Sequence, residues 1–334
     1  MAPSLCAGGS ISADGGAYLA PEDWLVTGSY RFFKAFRDFK GSNNIPFPSP
    51  PEIYAKNYIN TWDVSVTHAL TKRLSLTLGL PFGYGTRSTY LEHDGVTRHT
   101  MRNGGVGDLR LTGHFWLLDP DTHPDQNIQL GLGVKAPTGE YRAKDYSYRA
   151  TGRVLRPVDP AIQSGDGGWG IFLSAQAFQK VFTDTSIYFQ GTYLSNPREM
   201  NGTETPFGDI PELTGGDVGY RINSVPDQYL ARLGLSHTIW SEIGLSITLG
   251  ARAEGVPRRD LIGDSQGYRL PGHAVSVEPG LSIALGKNFF ELAVPAAVYR
   301  HASKSLADRR THSPIGGIAT FADFQVIVSF SRRF

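Results

Sequence analysis

The sequence predicts an all-β chain: a transmembrane antiparallel β-barrel of about 12 strands with short periplasmic turns and long extracellular loops. Three observations carry that expectation. Apolar and polar residues alternate with a period of two in segment after segment along the whole chain. The segments run roughly 10 to 13 residues, longer than soluble strands and matched to a tilted membrane-spanning strand. The connections between them alternate strictly, six of roughly 20 to 32 residues against five of roughly 3 to 9, which puts all long loops at one end.

The first segment, 24–36, alternates Val26, Tyr30 and Phe32 with Thr27, Ser29 and Arg31, although Tyr30, Phe33, Phe36 and Phe39 also fit a helical stripe. After 59–69 comes one of the two clearest cases, 73–82, where Leu74, Leu76, Leu78, Leu80 and Phe82 alternate with Arg73, Ser75, Thr77 and Gly79. The same template places strands at 107–117, 127–136, 168–178, 185–194 and 227–238. The second clear case is 243–253, with Ile243, Leu245, Ile247 and Leu249 on one parity and Gly244, Ser246, Thr248 and Gly250 on the other. Strands at 274–284, 288–299 and 322–334 complete the set. The last carries Phe324, Val326, Val328, Phe330 and the terminal Phe334 on one face, interrupted by Arg332, with Asp323, Gln325, Ser329, Ser331 and Arg333 opposite and Ile327 as the one apolar exception. A final amphipathic strand closing on an aromatic residue resembles the assembly signal of bacterial outer-membrane barrels.

Composition excludes several alternatives. The longest apolar run is about the eight residues from Leu292 to Tyr299, too short for a spanning helix. A net charge of +1 leaves no footprint for nucleic-acid binding, and one cysteine, Cys6, rules out an internal disulfide. The 39 Gly, 15 Tyr and 18 Phe favour strands and tight turns. A mean hydropathy of -0.23 is that of a soluble protein, but half of each barrel strand faces a polar interior. All five Trp fall near strand ends, Trp24, Trp116 and Trp240 toward the short turns and Trp62 and Trp169 toward the long loops, as aromatic girdles require, with Trp116 on the polar parity. Residues 1–23 read as an N-terminal periplasmic segment or the remnant of a signal region, and 24–334 as the barrel; large Leu5 argues against lipidation of Cys6.

Three motifs occur in order: Gly104-Gly105-Val106-Gly107-Asp108-Leu109-Arg110-Leu111, Lys135-Ala136-Pro137-Thr138-Gly139, and Gln163-Ser164-Gly165-Asp166-Gly167-Gly168-Trp169. Over residues 59–334 the chain resembles the bacterial outer-membrane transporter-like family often labelled as a meta-pathway phenol-degradation protein. That resemblance implies a barrel passing small compounds, aromatic ones among them, and transfers no functional residue. On physical grounds alone, Gly at strand starts permits bends and close backbone approach, and Pro137-Thr138-Gly139 ends pairing.

With the apolar parity on lipid, the other parity lines the lumen. The candidate pore-lining residues are the basic Arg31, Arg110, Lys135, Arg232 and Arg252, the acidic Asp63, Asp108, Glu278, Glu291 and Asp323, and His114, Gln176, Gln190 and Gln325. Arg73 and Arg333 share that parity. Glu254, Arg258, Arg259 and Asp260 are gate candidates in an outer loop, with ordinary solvated loop charge as the alternative. Arg300, His301, Lys304, Arg309, Arg310 and His312 form a basic stretch suited to lipopolysaccharide phosphates.

Catalytic and metal motifs are weak. His301-Ala302-Ser303 has the spacing of an outer-membrane phospholipase pair, but no Asn follows Asn288 to orient the His. Gly263-Asp264-Ser265-Gln266-Gly267 matches a nucleophile-elbow pattern inside a loop, without the strand and helix that pattern needs. Gly131-Leu132-Gly133-Val134-Lys135-Ala136 mimics a dinucleotide fingerprint but is itself a strand. Asp119, Asp121 and Asp125 in one turn, and Asp166, are oxygen donors without a full calcium-loop pattern.

The expectation is therefore a monomeric bacterial outer-membrane barrel acting as a channel for passive diffusion of small molecules, with no catalysis, metal or cofactor. Its partners are outer-membrane lipid, lipopolysaccharide and a small-molecule permeant. A plugged structural or surface-recognition barrel, and then a hydrolase, are the alternatives.

Overall fold

The computed structural model describes residues 18–45, 55–90, 92–206, 208–210, 217–311 and 316–334. Cys6, most of the predicted N-terminal segment and His312 lie outside them. Twelve antiparallel strands form a closed barrel. They are β1 (Trp24–Lys40), β2 (Lys56–Ala69), β3 (Leu74–Thr89), β4 (His99–Val106 and Leu109–Trp116), β5 (Gln126–Ala136), β6 (Gly170–Phe182), β7 (Thr185–Ser195), β8 (Gln228–Trp240), β9 (Leu245–Val256), β10 (Gly272–Leu285), β11 (Asn288–Ala293 and Ala296–Ala302) and β12 (Ile318–Arg333). Each pairs with its sequence neighbours, and β12 returns to β1 from Leu25↔Arg333 to Lys40↔Ile318. Closure matters because no unpaired backbone edge can face hydrocarbon.

Every predicted strand is present. In β1 the competing helical stripe is split between faces, because Phe33 and Phe39 are buried while Tyr30 stays on the outward parity of exposed Val26. The parity prediction holds round the wall. Leu78, Leu132, Leu235 and Leu249 stand exposed on the outside, Leu132 by 63%, whereas Lys135 and Arg252 are buried within. An exposed apolar wall enclosing a charged interior is the arrangement that lipid, not water, stabilises.

Two features escaped the alternation. The strands next to the first two long loops run past their predicted ends, β3 to Thr89 and β4 from His99, because strand pairing above the apolar belt needs no apolar face. Two strands are also interrupted. In β11 the break is Val294-Pro295; Pro295 has no N–H to donate, and its carbonyl accepts from Gln325 N–H at 3.0 Å. In β4 it is Gly107-Asp108, where Gly107 N–H donates to the Pro81 carbonyl at 2.7 Å.

Outer loops fold back over the barrel mouth. The third carries a hairpin (Lys144–Arg149 and Gly152–Pro157) and then a 3-10 turn at Pro160–Ile162, capped by the Asp159 carboxylate accepting from Ala161 N–H. Val158 and Ile162 pack on Phe33, Ala35, Ile59 and Met101 in one buried apolar cluster. Gly85 makes room for this, since a Cβ there would lie 2.6 Å from Ile162 Cγ2. A second cluster gathers Phe39, Ala274, Ala302, Ala319 and Phe321.

Replacing Leu132 by Arg places a charge on the lipid face of β5 and is expected to cost about 2–4 kcal/mol, read by urea unfolding from lipid vesicles, with Leu132→Ala costing much less.

Candidate functional site

The inward charges pair across the lumen. Arg31 on β1 reaches Glu254 on β9 at 3.9 Å, and Glu254 also takes the Gln325 amide of β12 and the Arg252 guanidinium at 2.8 Å. Arg252 meets Glu278 at 3.5 Å; Arg232 meets Glu278 at 2.6 Å and Glu291 at 3.0 Å, and its Nη1 donates to Gln190 at 3.1 Å. Strands that are not neighbours in the sheet are joined in this way, so the pairs run as chords through the interior. Physics leaves little choice: a buried charge costs several kcal/mol unless a counter-charge and hydrogen bonds surround it. On the other side of the lumen Asp63 pairs with Arg110, and Gln176 bonds Gln129.

The three glycine-rich motifs converge at one node. Asp108 accepts from Gly139 N–H at 2.9 Å and from Asp166 N–H at 3.2 Å, while Lys135 pairs with both Asp108 and Asp166. Thr138 accepts from Leu109 N–H and donates to the Gly107 carbonyl. Gly107, Gly139 and Gly165 are stacked backbone on backbone; a Cβ on Gly165 would lie 2.5 Å from the Gly139 carbonyl oxygen. The node therefore ties the break in β4 to both ends of the third outer loop.

Above the belt lies a cavity of about 930 Å³, including the solvent space that opens into it. Its walls are largely apolar, with Phe33, Ala35, Ile59, Leu270, Ala274 and Phe321; its floor is Arg31, Glu254 and Gln325, and its roof Arg87, Asp159 and Ala161. On one side it reaches Pro295, Ala297 and Phe324, at the break in β11. The wall there is thinly laddered: the outer piece of β11 pairs with β12 at Ala296↔Phe324, whereas the inner piece pairs at six positions. Side chains close the seam instead, Arg300 to the Ala322 carbonyl and Asp323, and Arg37 to Asp323 at 3.1 Å.

No family model and no curated protein sequence matches the chain. Among solved structures, the COG4313 outer membrane channel from Pseudomonas putida F1 superimposes with a TM-score of 0.60 over 96% of this chain and 98% of that one, at 15% identity. The two chains share a fold. The toluene transporter TbuX of Ralstonia pickettii (TM-score 0.45, 8% identity, 96% and 92% covered) and the CymD monoaromatic hydrocarbon channel (0.43, 10%, 99% and 95%) are more distant.

The candidate lumen residues distribute as follows. Arg31, Arg232, Arg252, Glu278, Glu291, Gln190 and Gln325 join in the belt; Asp63, Arg110, Asp108, Lys135 and Gln176 stand on the opposite side; Asp323 belongs to the seam; His114 sits beside Gly131 and Ser174. The charges expected to line the lumen hold one another across it. The four gate candidates are not brought together in space. Glu254 lies within β9 and inside the barrel, Arg258 and Arg259 are exposed, and Asp260 is bound by Arg269 at 2.6 Å. The basic stretch is likewise divided, with Arg300 turned inward and Lys304, Arg309 and Arg310 exposed. Ser265 is buried with its hydroxyl accepting from Asp260 N–H, and Asp121 and Asp125 face different lysines, Lys72 and Lys180.

Trp116 is the girdle exception. It is buried, 5.0 Å from Tyr18, and both rings contact Phe178 at the periplasmic end. Tyr18 donates to the His123 carbonyl and accepts from Asn127, so the start of the described chain closes on the mouth.

Sequence reasoning missed the roof, because its partners come from different loops. Arg87 donates to Glu92 at 2.6 Å and to Asn57 at 3.1 Å, and meets Asp159 at 3.4 Å. Ser147 of the hairpin donates to the Glu92 carbonyl, and Tyr148 N–H to His93 Nδ1. Burial lowers His93 to about 4, with His99 adding to the effect, so its ring stays a neutral acceptor. Burial raises Glu92 to about 7, against the opposing pull of Arg87 and with Asp159 pushing the same way.

Two outcomes are expected. Arg252→Met takes one of two guanidiniums from each of Glu254 and Glu278, which keep Arg31 and Arg232, and costs at most about 3 kcal/mol of stability in urea unfolding. The raised Glu92 carboxyl favours closure at acid pH and loosens it as pH rises toward about 7, while the lowered His93 acts the opposite way, favouring closure as pH rises from about 4 to about 6.5. In Glu92→Gln, where His93 acts alone, spin labels at Val96 and Val154 should report a distance distribution that narrows from about pH 4 to about pH 7, and in His93→Asn, where Glu92 acts alone, one that broadens over the same range.

Proposed function

We propose that the chain is an outer-membrane channel that admits small hydrophobic molecules, aromatic ones included, from the cell exterior into the lumenal chamber. The observation that carries this reading is an apolar-walled chamber set directly above a floor of paired charges. Such a chamber favours an apolar solute by removing its surface from water, at about 25 cal/mol per Å². The paired floor opposes straight passage of polar solutes, because any ion entering must compete with charges already satisfied.

The thinly laddered seam beside Pro295 offers an apolar solute a way out of the chamber toward the membrane. Transport would then be diffusive and downhill, with the outer loops controlling entry. The closed sheet leaves no edge for strand exchange between copies, which supports a monomer. The exposed Leu-rich wall supports contact with outer-membrane lipid, and Lys304 and Arg309 are the charges best exposed for lipopolysaccharide phosphates.

Reconstituted in liposomes, the protein is expected to speed uptake of toluene while small sugars produce little swelling. Filling the chamber with Ala274→Trp should reduce toluene uptake several-fold with the barrel intact by heat-modifiable migration. Equal permeation by sugars and toluene, or no toluene uptake, would overturn the reading.

A further inference from the structure

We propose that His273 and His301 form a binding site for a divalent transition-metal ion of the zinc, nickel or copper class on the outer rim of the barrel. The two residues are directly opposed in register, His273 at the outer end of β10 and His301 near the end of β11. Both lie on the outward parity, since their neighbours Ala274 and Ala302 belong to the buried interior cluster. Arg300, the charge between Tyr299 and His301, turns the other way to Asp323, so its charge is directed away from the pair.

Distance fits chelation. A metal about 2.1 Å from an imidazole nitrogen sits roughly 3.2 Å from the ring centre, and two such rings at a tetrahedral angle are about 5.2 Å apart. The His273 and His301 ring centroids are 5.6 Å apart, the rings stacked with planes 28° from parallel, so chelation requires the rings to turn until one nitrogen of each faces a common ion. The second feature is tautomer control. Ser42, from the turn after β1, lies 2.9 Å from His301 Nδ1 and 2.8 Å from the Tyr299 hydroxyl. With Ser42 accepting from Nδ1–H and donating to Tyr299, the Nε2 lone pair of His301 is left for a metal, the outer support that ligating histidines require. Imidazole nitrogen suits zinc, nickel and copper over calcium and magnesium. Among the described residues no third His, Cys, Asp or Glu joins the pair, so an ion bound there would take its remaining ligands from water.

The sequence did not suggest a metal, because the two histidines stand on separate strands and become neighbours only through β10–β11 pairing.

The test is calorimetric titration of the full chain, in detergent and without an added histidine tag, with Zn²⁺ alone. One ion per chain is expected to bind saturably. His273→Ala and His301→Ala should each weaken binding at least tenfold, and Ser42→Ala should weaken it less, with all three variants retaining heat-modifiable migration. Absence of saturable Zn²⁺ binding by the wild type would overturn the proposal. So would undiminished binding by either folded histidine variant.

Discussion

Inside a bilayer there is no water to satisfy a backbone N–H or C=O, and this single requirement organises the molecule. It forces the strands into a closed ladder, β1 onto β12, and closure forces one parity of side chains outward and the other into a confined interior. The outward parity is solved by leucine, valine and aromatics. The inward parity carries Arg31, Arg232, Arg252, Glu254 and Glu278, which are too deeply buried to rely on solvent. They rely on each other, and the chords they form cross the lumen.

From that closure follows the division of the interior. Below the belt the interior runs down to the rings of Tyr18, Trp116 and Phe178; above it, small and aromatic residues leave a chamber. The places where the ladder itself fails are where covalent chemistry forbids it or glycine permits another contact. Pro295 cannot donate, so the outer half of β11 leans on side chains to meet β12. Gly107 leaves the ladder to stack on Gly139, and Asp108 and Lys135 then hold the third loop in place.

Much of this was legible beforehand, for a local reason. Leu74, Leu76 and Leu78, or Ile247 and Leu249, announce a strand and its lipid face within a few residues, because side-chain direction in a strand depends only on parity. The inward placement of Arg232 or Lys135 was readable by the same rule. Trp116 broke its pattern legibly too, standing on the polar parity, though the partner that explains it, Tyr18, is distant in sequence. Glu254 shows the limit: the charge-rich run to Asp260 read as one loop, while strand register drew Glu254 into the belt and left Arg258 and Arg259 outside.

Parity and spacing thus specify twelve crossings, two ends and two faces, since each is a property of a short stretch of chain. Which carboxylate meets which guanidinium, where charges cross the lumen, which half-strand is loosely held and which two histidines stand side by side depend on strand stagger and on loops returning over the mouth. Those are relations between residues far apart in sequence, and only the closed barrel brings them within bonding distance.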